Sequence, residues 1–433
     1  MRILHLSDIH VGVENYTRPA TEADLAALPD YFAPGDDRSR YMGASTRMLD
    51  LLASFDYAVD YALRNGVDLV LFAGDAYKSR DPSQTHQREF ASRVARLANG
   101  GVPVFLTTGN HDVPHAPNRA TALDIFPTLD VPNVVVGHEL GTHRVKTPVG
   151  PAQVVALPWI RTAAFMARDE SRGMKMDEIN RALEDRLAAM LQAEADALDP
   201  ALPAFLCAHL TVSGAALSSE RSLMLGNDHV LLLSTLANPA FDYAALGHVH
   251  RHQVLTRNPP VVYSGSLQRV DFSEEDDAKG FCVVDLDPAA PRGERIRGVE
   301  FVPVDARPMR TIEADAAAGQ DPTEAALTAI RRAEGVAGAI VRIRVSMDAA
   351  DAGAFRESAV REALAHAHAV AGIERRVRNP RRTRLGEDGG DSLSPMEALR
   401  RYLGTRSLSA DREAALVEQA EALLREEREA AGE

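Results

Sequence analysis

The stretches MRILHLSDIH at residues 1–10 and VDLVLFAGD at residues 67–75 decide the fold of this chain. Both are apolar runs of strand length that end in acidic or imidazole side chains, a pattern typical of buried parallel strands. Helical periodicity occupies Thr46–Asn65 between them, and a helix at Gln84–Ala98 leads into a further strand at Val102–Thr108. This alternation of strands and helices predicts a layered α/β core with parallel strand pairs.

The middle and the end of the chain differ in pattern from the start. A surface helix is predicted at Asp177–Leu198, and a further helix at Ala352–His368. Further strands are predicted at Val134–Gly137, His143–Thr147, Gln153–Leu157, Ala204–His209, Tyr243–Gly247, Val261–Ser264 and Phe281–Leu286. Residues 385–394 read as a linker before two C-terminal helices. We therefore predict a core at residues 1–300, a small α+β cap at 301–384, and a linker with helices at 385–433.

The chain is acidic as a whole. Its 433 residues carry 48 lysines and arginines against 62 aspartates and glutamates, which gives a net charge of −14. This balance argues against a protein that coats nucleic acid nonspecifically. It does not exclude a nuclease, because an active site that binds cations can receive phosphate and basic patches can be local.

Features of the sequence also bear on where the protein works. No apolar run of about 18 residues is present, so we expect no membrane span. The N-terminal segment lacks the basic region and the cleavage site of a secretion signal. Cys207 and Cys282 lie in apolar, strand-like runs, which favours two buried free thiols over a disulfide. These features predict a cytoplasmic protein.

A series of possible metal ligands follows five of the predicted strands, each at the carboxyl end. The series is Asp8-x-His10, Gly74-Asp75, Gly109-Asn110-His111-Asp112, His209 and Gly247-His248-Val249-His250. Sites in open α/β sheets assemble at this edge. Mixed oxygen and nitrogen donors favour manganese, iron or zinc, and two such ions can activate water and neutralise a phosphoryl group. Any one of these histidines is as often structural, but the ordered series is hard to obtain by chance.

In this order the motifs resemble the signature of the calcineurin-like metallophosphoesterase superfamily. The stretches LSDIHVG, LVLFAGDAYKSRDPS, TTGNHD, AHLTVSG, LGHVHRHQ and VYSGSLQRVDFSEE resemble, more narrowly, the SbcD nuclease subunits of bacterial SbcCD DNA-repair complexes and their archaeal and eukaryotic counterparts. The resemblance is strong over residues 1–285 and lies mainly in the three-part layout beyond them. It implies a core of mixed sheets flanked by helices, an α+β cap and a C-terminal helical tail.

The resemblance also implies a role for each motif residue. The ligands would divide into two sets, Asp8, His10, Asp75 and His250 for one ion, and Asp75, Asn110, His209 and His248 for the other. Asp75 would bridge the two ions, which in the family are typically manganese. His111 would stabilise the scissile phosphate or protonate the leaving oxygen, and Asp112 would orient it.

The activity implied by the resemblance is that of a DNA nuclease. It would be an exonuclease on duplex ends and an endonuclease on single-stranded or hairpin DNA, working as a homodimer with an SbcC-type ATPase. The chain has no phosphate-binding loop of the ATPase type, so any ATP dependence must come from that partner. The chain departs from the family in a longer, more acidic segment at residues 13–45, and in Lys78 after Asp75.

Two regions near the end of the chain have open interpretations. Six arginines form a basic run that could contact DNA or an acidic partner, or could be a solvated linker edge. They are Arg375, Arg376, Arg378, Arg381, Arg382 and Arg384. The tail helices carry leucines at helical spacing, which could dock on the ATPase or pack on the chain's own cap.

Two other functions remain possible from the sequence. A phosphatase or a small-molecule phosphodiesterase could use the same ligand series, although the cap and the tail argue against it. A DNA-tethering scaffold with a vestigial site is the other alternative, and the complete ligand series argues against that.

Overall fold

A computed structural model describes residues 1–114, 116, 119–160, 175–217, 230–378, 395–404 and 410–431. The strands are β1 (Arg2–Leu6), β2 (Leu69–Ala73), β3 (Val104–Thr107), β4 (Val134–Gly137), β5 (Gly141–Thr147), β6 (Gly150–Leu157), β7 (Ala204–His209), β8 (Thr211–Val212), β9 (Val230–Leu231), β10 (Tyr243–Gly247), β11 (Gln253–Arg257), β12 (Pro260–Tyr263), β13 (Gly280–Leu286), β14 (Ile296–Pro303), β15 (Met309–Asp315), β16 (Ile340–Asp348) and β17 (Ala369–Arg378). The helices are α1 (Glu22–Ala26), α2 (Thr46–Arg64), α3 (Gln84–Asn99), α4 (Ile125–Thr128), α5 (Met176–Asp196), α6 (Leu233–Leu236), α7 (Pro322–Arg332), α8 (Glu357–Ala363), α9 (Pro395–Gly404) and α10 (Ala410–Ala431).

Two mixed six-stranded sheets form the core. The first has the order β14-β13-β1-β2-β3-β4, in which β1 to β4 are parallel and β13 and β14 are antiparallel additions. The second has the order β11-β12-β10-β7-β6-β5, with a parallel centre and antiparallel strands at both edges. The prediction of a layered α/β core with mixed sheets is therefore confirmed.

Helices cover the outer faces of the two sheets. Between the sheets, Phe105 of the first packs in one apolar cluster with Phe205 and Tyr243 of the second. On the outer face of the first sheet, Phe72 of β2 contacts Phe90 of α3 at a ring distance of 5.5 Å. Leucines of α5 pack on the outer face of the second sheet. Four layers result, in the order helix, sheet, sheet, helix.

This stacking brings the carboxyl ends of parallel strands from both sheets to one edge. Gly247 at the end of β10 pairs with His209 at the end of β7. His5 of β1 joins the sheets directly, because its Nδ1 atom lies 2.9 Å from the hydroxyl oxygen of Tyr243 in β10. The motifs that follow β1, β2, β3, β7 and β10 therefore share one edge.

The chain divides into two compact units. The first comprises Met1–Ile312, Ile330–Ile343 and Arg361–Ile373, and the second comprises Glu313–Ala329, Arg344–Val360 and Glu374–Glu433. The three-stranded sheet β15-β16-β17 contributes residues to both units. Because β14 continues to Pro303 in the first sheet, the predicted boundary at residue 300 falls inside a strand. The division into three parts stays a prediction.

Several local predictions can be compared with the structure. Cys207 and Cys282 are buried free thiols, as predicted. The helix predicted at residues 352–368 is reduced to α8, preceded by a short 3-10 turn at Ala352–Ala354. Among the described residues, every helix is too short or too polar to cross a membrane.

Candidate metal centre

Four predicted ligands sit in strained backbone at the shared edge. The left-handed conformation has φ of 53° at Asp8, 52° at His10, 58° at Asp75 and 97° at His248. Non-glycine residues rarely adopt it, and each instance costs on the order of 1–3 kcal/mol. Backbone hydrogen bonds hold two of them, because Asp8 N–H donates to Gly74 O at 3.0 Å and His10 N–H donates to Asp75 O at 3.1 Å. Such strain, where strands end, points to a functional site.

One group of side chains gathers around His10. Its Nε2 atom lies 2.9 Å from Nε2 of His250 and 3.6 Å from Oδ2 of Asp75. The Asp8 carboxylate lies 3.9 Å from Nε2 of His10 and 4.0 Å from Nε2 of His250. All four side chains are buried. The structure thus brings together the four side chains predicted for the first ion.

A second group gathers around Asn110. Its Oδ1 atom lies 3.0 Å from Nε2 of His209 and 3.1 Å from Nδ1 of His248. Nε2 of His209 also lies 3.5 Å from Oδ2 of Asp75. The side chains predicted for the second ion are therefore also together. Asp75 approaches both groups through the same oxygen atom.

Hydrogen-bond acceptors face one another in this centre. Nδ1 of His209 donates to the carbonyl oxygen of Ala73 at 2.7 Å, so Nε2 of the neutral ring presents a lone pair. That lone pair faces Asn110 Oδ1 and the Asp75 carboxylate. Burial opposes a proton on His209, but the charge of Asp75 outweighs it and raises the pKa of His209 to about 9. Nε2 therefore takes up a proton unless another cation replaces it, and a divalent cation fits these oxygen and nitrogen donors.

Three overlapping groups each bring ligand atoms within 4.8 Å of one another. They are Asp8, His10 and His250; His10, Asp75 and His111; and Asp8, Asp75 and His209. The last group joins side chains predicted for different ions, so Asp8 as well as Asp75 lies between the two sets. Burial alone would raise the pKa of Asp75, but His209 and His111 hold it well below its usual range. An ionised carboxylate between two sets of donors suits divalent ions.

The structure corrects the predicted role of Asp112. Its carboxylate accepts backbone N–H groups at 2.8–3.3 Å from Asp75, Ala76, Tyr77 and Gly109. The His111 ring instead places Nδ1 2.8 Å from the carbonyl oxygen of Lys78. Asp112 therefore holds together the loops after β2 and β3, because four N–H groups of those loops share it as acceptor. Gly109 is needed at this junction, since a Cβ atom there would collide with Oδ1 of Asp75.

His111 lies beside the first group of ligands. Its backbone N–H donates to Oδ1 of Asp75 at 2.8 Å, and its ring meets the His10 ring edge to face with centroids 4.9 Å apart. Burial lowers the pKa of His111, while the charge of Asp75 acts in the opposite direction. A ring nitrogen of His111 lies within 4.8 Å of ligand atoms of His10 and Asp75.

Two charged residues support the centre and were missed in the sequence. Oε1 of Glu274 lies 2.8 Å from Nδ1 of His250, and Oε2 of Glu274 lies 2.7 Å from Nζ of Lys279. Both side chains are fully buried. Glu274 falls within the stretch VYSGSLQRVDFSEE. However, neither Glu274 nor Lys279 directly follows a predicted strand or belongs to a metal-ligand motif, so the sequence did not identify them.

An aromatic side chain and a cleft border the second group. The ring of Trp159 lies over His248 with centroids 5.1 Å apart, and its backbone N–H donates to Thr108 O at 2.9 Å. The cleft has a volume of about 830 Å³, and its lining includes Trp159, Thr108, Arg119 and His138. Trp159 is the single tryptophan of the chain, so its fluorescence reports on this place alone.

The basic run is only partly described. Arg378 donates to Asp348 at 2.8 Å and forms a shorter ion pair with Asp315. Arg376 lies 3.9 Å from Glu313, and Arg375 is exposed. Residues Arg381, Arg382 and Arg384 lie outside the described residues. The charge of Arg378 is therefore already paired within the chain. Contact of the whole basic run with DNA or a partner stays a prediction.

Comparison with known proteins places these observations in a family. The model of the calcineurin-like phosphoesterase family matches residues 1–252. The chain is similar to the SbcD subunit of nuclease SbcCD from Rhodobacter capsulatus, with 30% identity over 315 residues, 67% of this chain and 68% of that protein. For the same protein of Escherichia coli K12 the identity is 27%, over 63% of this chain and 62% of that protein. DNA double-strand break repair protein Mre11 of Aeropyrum pernix is 24% identical over 76% of this chain and 68% of its own length.

Proposed function

Since the chain belongs to the calcineurin-like phosphoesterase family, and within it to the SbcD and Mre11 type, we propose that it is a manganese-dependent DNA nuclease. It hydrolyses phosphodiester bonds with two metal ions, as an exonuclease on duplex ends and an endonuclease on single-stranded or hairpin DNA. It acts with an SbcC-type ATPase in DNA break repair and recombination.

The position of Asp75 is the observation that carries the two-ion chemistry of the proposal. Its Oδ2 atom lies 3.6 Å from Nε2 of His10 and 3.5 Å from Nε2 of His209. One carboxylate therefore lies between two different sets of donors. Paired ions in phosphoester hydrolysis lie about 3.5–4 Å apart, a distance that one carboxylate can bridge.

The chain's own side chains divide the work at the site. Asp8, His10 and His250 would hold one ion, Asn110, His209 and His248 the other, and Asp75 both. When bound, the two ions lower the pKa of a water molecule and neutralise charge on the phosphoryl oxygens.

His111 is the proposed proton donor. Because its Nδ1 atom donates to Lys78 O, a proton on Nε2 makes the ring cationic and free to donate to a phosphate or leaving oxygen. Burial lowers the pKa of His111 in the free protein. The negative charge of a bound phosphate acts against this effect and favours the protonated ring.

The proposed assembly has support at two surfaces of the chain. Ile125 and Leu129, in and after α4, are 47% and 67% exposed, and this pair of apolar side chains suits a homodimer contact. In the tail, Arg400 of α9 donates to Glu421 of α10 at 3.2 Å, so the two helices contact each other. We assign docking on the ATPase to this helix pair.

The proposal can be tested with the purified chain and three substrates. These are hairpin-ended duplex, single-stranded DNA and a chromogenic phosphate ester, each with Mn²⁺ or with a chelator. We expect cleavage of both DNAs only with Mn²⁺, and a rate lowered about 10²- to 10⁴-fold by His111→Ala. The exposed His366 provides the control variant, His366→Ala. Hydrolysis of the ester but of neither DNA would contradict the nuclease and favour a phosphatase.

A further inference from the structure

A buried ion pair lies directly behind the predicted ligand His250. The side chains of Glu274 and Lys279 are fully shielded from water, and Nζ of Lys279 lies 2.7 Å from Oε2 of Glu274. Neither residue belongs to the predicted ligand sets. Both lie in the first compact unit, in the segment that connects β12 to β13.

Glu274 fixes the direction of the His250 ring. Its Oε1 atom accepts from Nδ1 of His250 at 2.8 Å, so Nε2 of that ring presents its lone pair towards His10 and Asp8. Its Oε2 atom accepts the backbone N–H of Val270 at 3.1 Å. Because both oxygens have partners, the carboxylate cannot turn without breaking a buried hydrogen bond.

Lys279 holds the same histidine through its backbone. Nζ donates to Glu274 Oε2 at 2.7 Å, to the carbonyl oxygen of His250 at 3.0 Å and to Oγ of Ser266 at 3.0 Å. An ammonium group has three N–H donors, so all of them are used here. The backbone N–H of Ser266 donates to the same His250 carbonyl at 3.0 Å. The ligand is therefore fixed at its ring and at its main chain by one connected network.

Stability alone gives little reason for this pair. Two charges removed from water lose their hydration, and apolar residues of similar volume often serve as well or better. A carboxylate hydrogen-bonded to the outer nitrogen of a metal-binding histidine, by contrast, orients the ring and strengthens it as a donor. The position of the pair at a predicted ligand favours this second role.

We propose that Glu274 and Lys279 are positioning residues for the metal ion bound by His250, an inference that rests on the proposed function. Glu274 sets the tautomer and direction of the ring, while Lys279 balances the carboxylate's charge and holds it in place. Loss of the Glu274 carboxylate should lower the affinity for that ion by about 10- to 100-fold. The ion assigned to Asn110, His209 and His248 should keep its affinity.

The test is calorimetric titration of the metal-free full-length chain with MnCl₂. Four proteins are compared: the wild type, Glu274→Gln, the double variant Glu274→Gln with Lys279→Met, and Glu275→Gln. The double variant leaves no buried ammonium without a counter-charge. Glu275 is the matched control, because its carboxylate accepts from the backbone N–H of Thr311 at 2.7 Å rather than from a predicted ligand. Thermal unfolding without metal identifies which variants are folded.

We expect the wild type and Glu275→Gln to bind two ions alike. Both Glu274 variants should bind one ion normally and the other about 10- to 100-fold more weakly. A folded double variant that binds both ions like the wild type would overturn the inference, as would equal weakening in Glu275→Gln. If the wild type binds no Mn²⁺, the proposed function itself fails, which is a different result from failure of the Glu274 variants alone.

Discussion

His5 is a buried polar side chain that joins the two sheets by hydrogen bonds. It is fully buried in β1, with Nδ1 2.9 Å from the hydroxyl oxygen of Tyr243 and Nε2 3.2 Å from the carbonyl oxygen of Leu246. Burial lowers the pKa of His5 from the ordinary 6.5 to about 3. In the folded protein this imidazole is therefore neutral throughout the range between those two values.

This shift predicts a pH dependence of stability. Between pH 6.5 and about 3 the unfolded chain binds a proton at His5 that the folded chain does not, so stability falls as the pH falls. His5→Gln removes that contribution. In urea unfolding with chelator present, the free energy of unfolding should fall more steeply with decreasing pH in the wild type than in the variant. The two slopes should differ by up to about 1.4 kcal/mol per pH unit. The exposed His366→Gln is the control, and equal slopes for His5→Gln and the wild type would contradict the prediction.

Residue identities in the site were readable from the sequence, but residue roles were only partly so. The ligand types stand at strand ends, and parallel strands bring such ends together, so the meeting of Asp8, Asp75 and His209 followed from the pattern. The partner of a side chain depends on its direction in space, which sequence spacing does not encode. For that reason Asp112 was assigned to the wrong partner and Glu274 was missed.

The insertion at residues 13–45 is docked on α2 and α3 by buried polar groups. The backbone N–H of Ala33 donates to Asp56 of α2 at 3.1 Å, and the hydroxyl of Tyr41 donates to Glu89 of α3 at 2.7 Å. Arg93 of α3 joins both carboxylates, at 2.6 Å from Asp56 and 2.9 Å from Glu89. One buried guanidinium thus stabilises the contact of the insertion with two helices.

Arg93→Ala should destabilise the chain strongly. Removal of this guanidinium takes a buried counter-charge away from two buried carboxylates, and breaking such a pair costs about 3–5 kcal/mol. Arg88→Ala is the matched control, because Arg88 lies 2.7 Å from the same Glu89 but is 56% exposed. Its loss should cost less than about 1 kcal/mol. Urea unfolding measures both variants, and equal small losses would show that the buried network does not anchor the insertion.

Elements with a plain hydrophobic pattern were predicted well. Strands β7 and β10 have the predicted bounds, because both are wholly buried apolar runs that end at a polar or glycine residue. Strand β11 was missed, since it is a half-exposed edge strand with a mixed sequence. The helix predicted at residues 352–368 was too long. Gly353 disfavours a helix at its start, and the chain enters β17 at Ala369.

At the scale of the whole molecule, the net charge of −14 gives no direct sign of a DNA substrate. The metal centre accounts for phosphoester chemistry, and it does so with residues of the first compact unit alone. The proposals of a DNA substrate and an ATPase partner rest on the similarity to SbcD and Mre11 proteins. They therefore need tests that separate chemistry from assembly.

Deletion of residues 393–433 tests DNA cleavage separately from assembly with the ATPase. We expect the truncated chain to keep Mn²⁺-dependent cleavage, because every predicted ligand lies before residue 251, and to lose co-purification with an SbcC-type ATPase. Full-length His111→Ala is the reciprocal control, which should lose cleavage and keep the partner. Co-purification retained by the truncated chain would rule out the tail as the main contact.

The most direct test of the two-ion centre is the anomalous X-ray scattering of crystals grown with Mn²⁺. We predict two peaks about 3.5–4 Å apart, one on each side of the Asp75 carboxylate. One peak should contact Asp8, His10 and His250, and the other Asn110, His209 and His248. A single peak, or two peaks that do not share Asp75, would contradict the account.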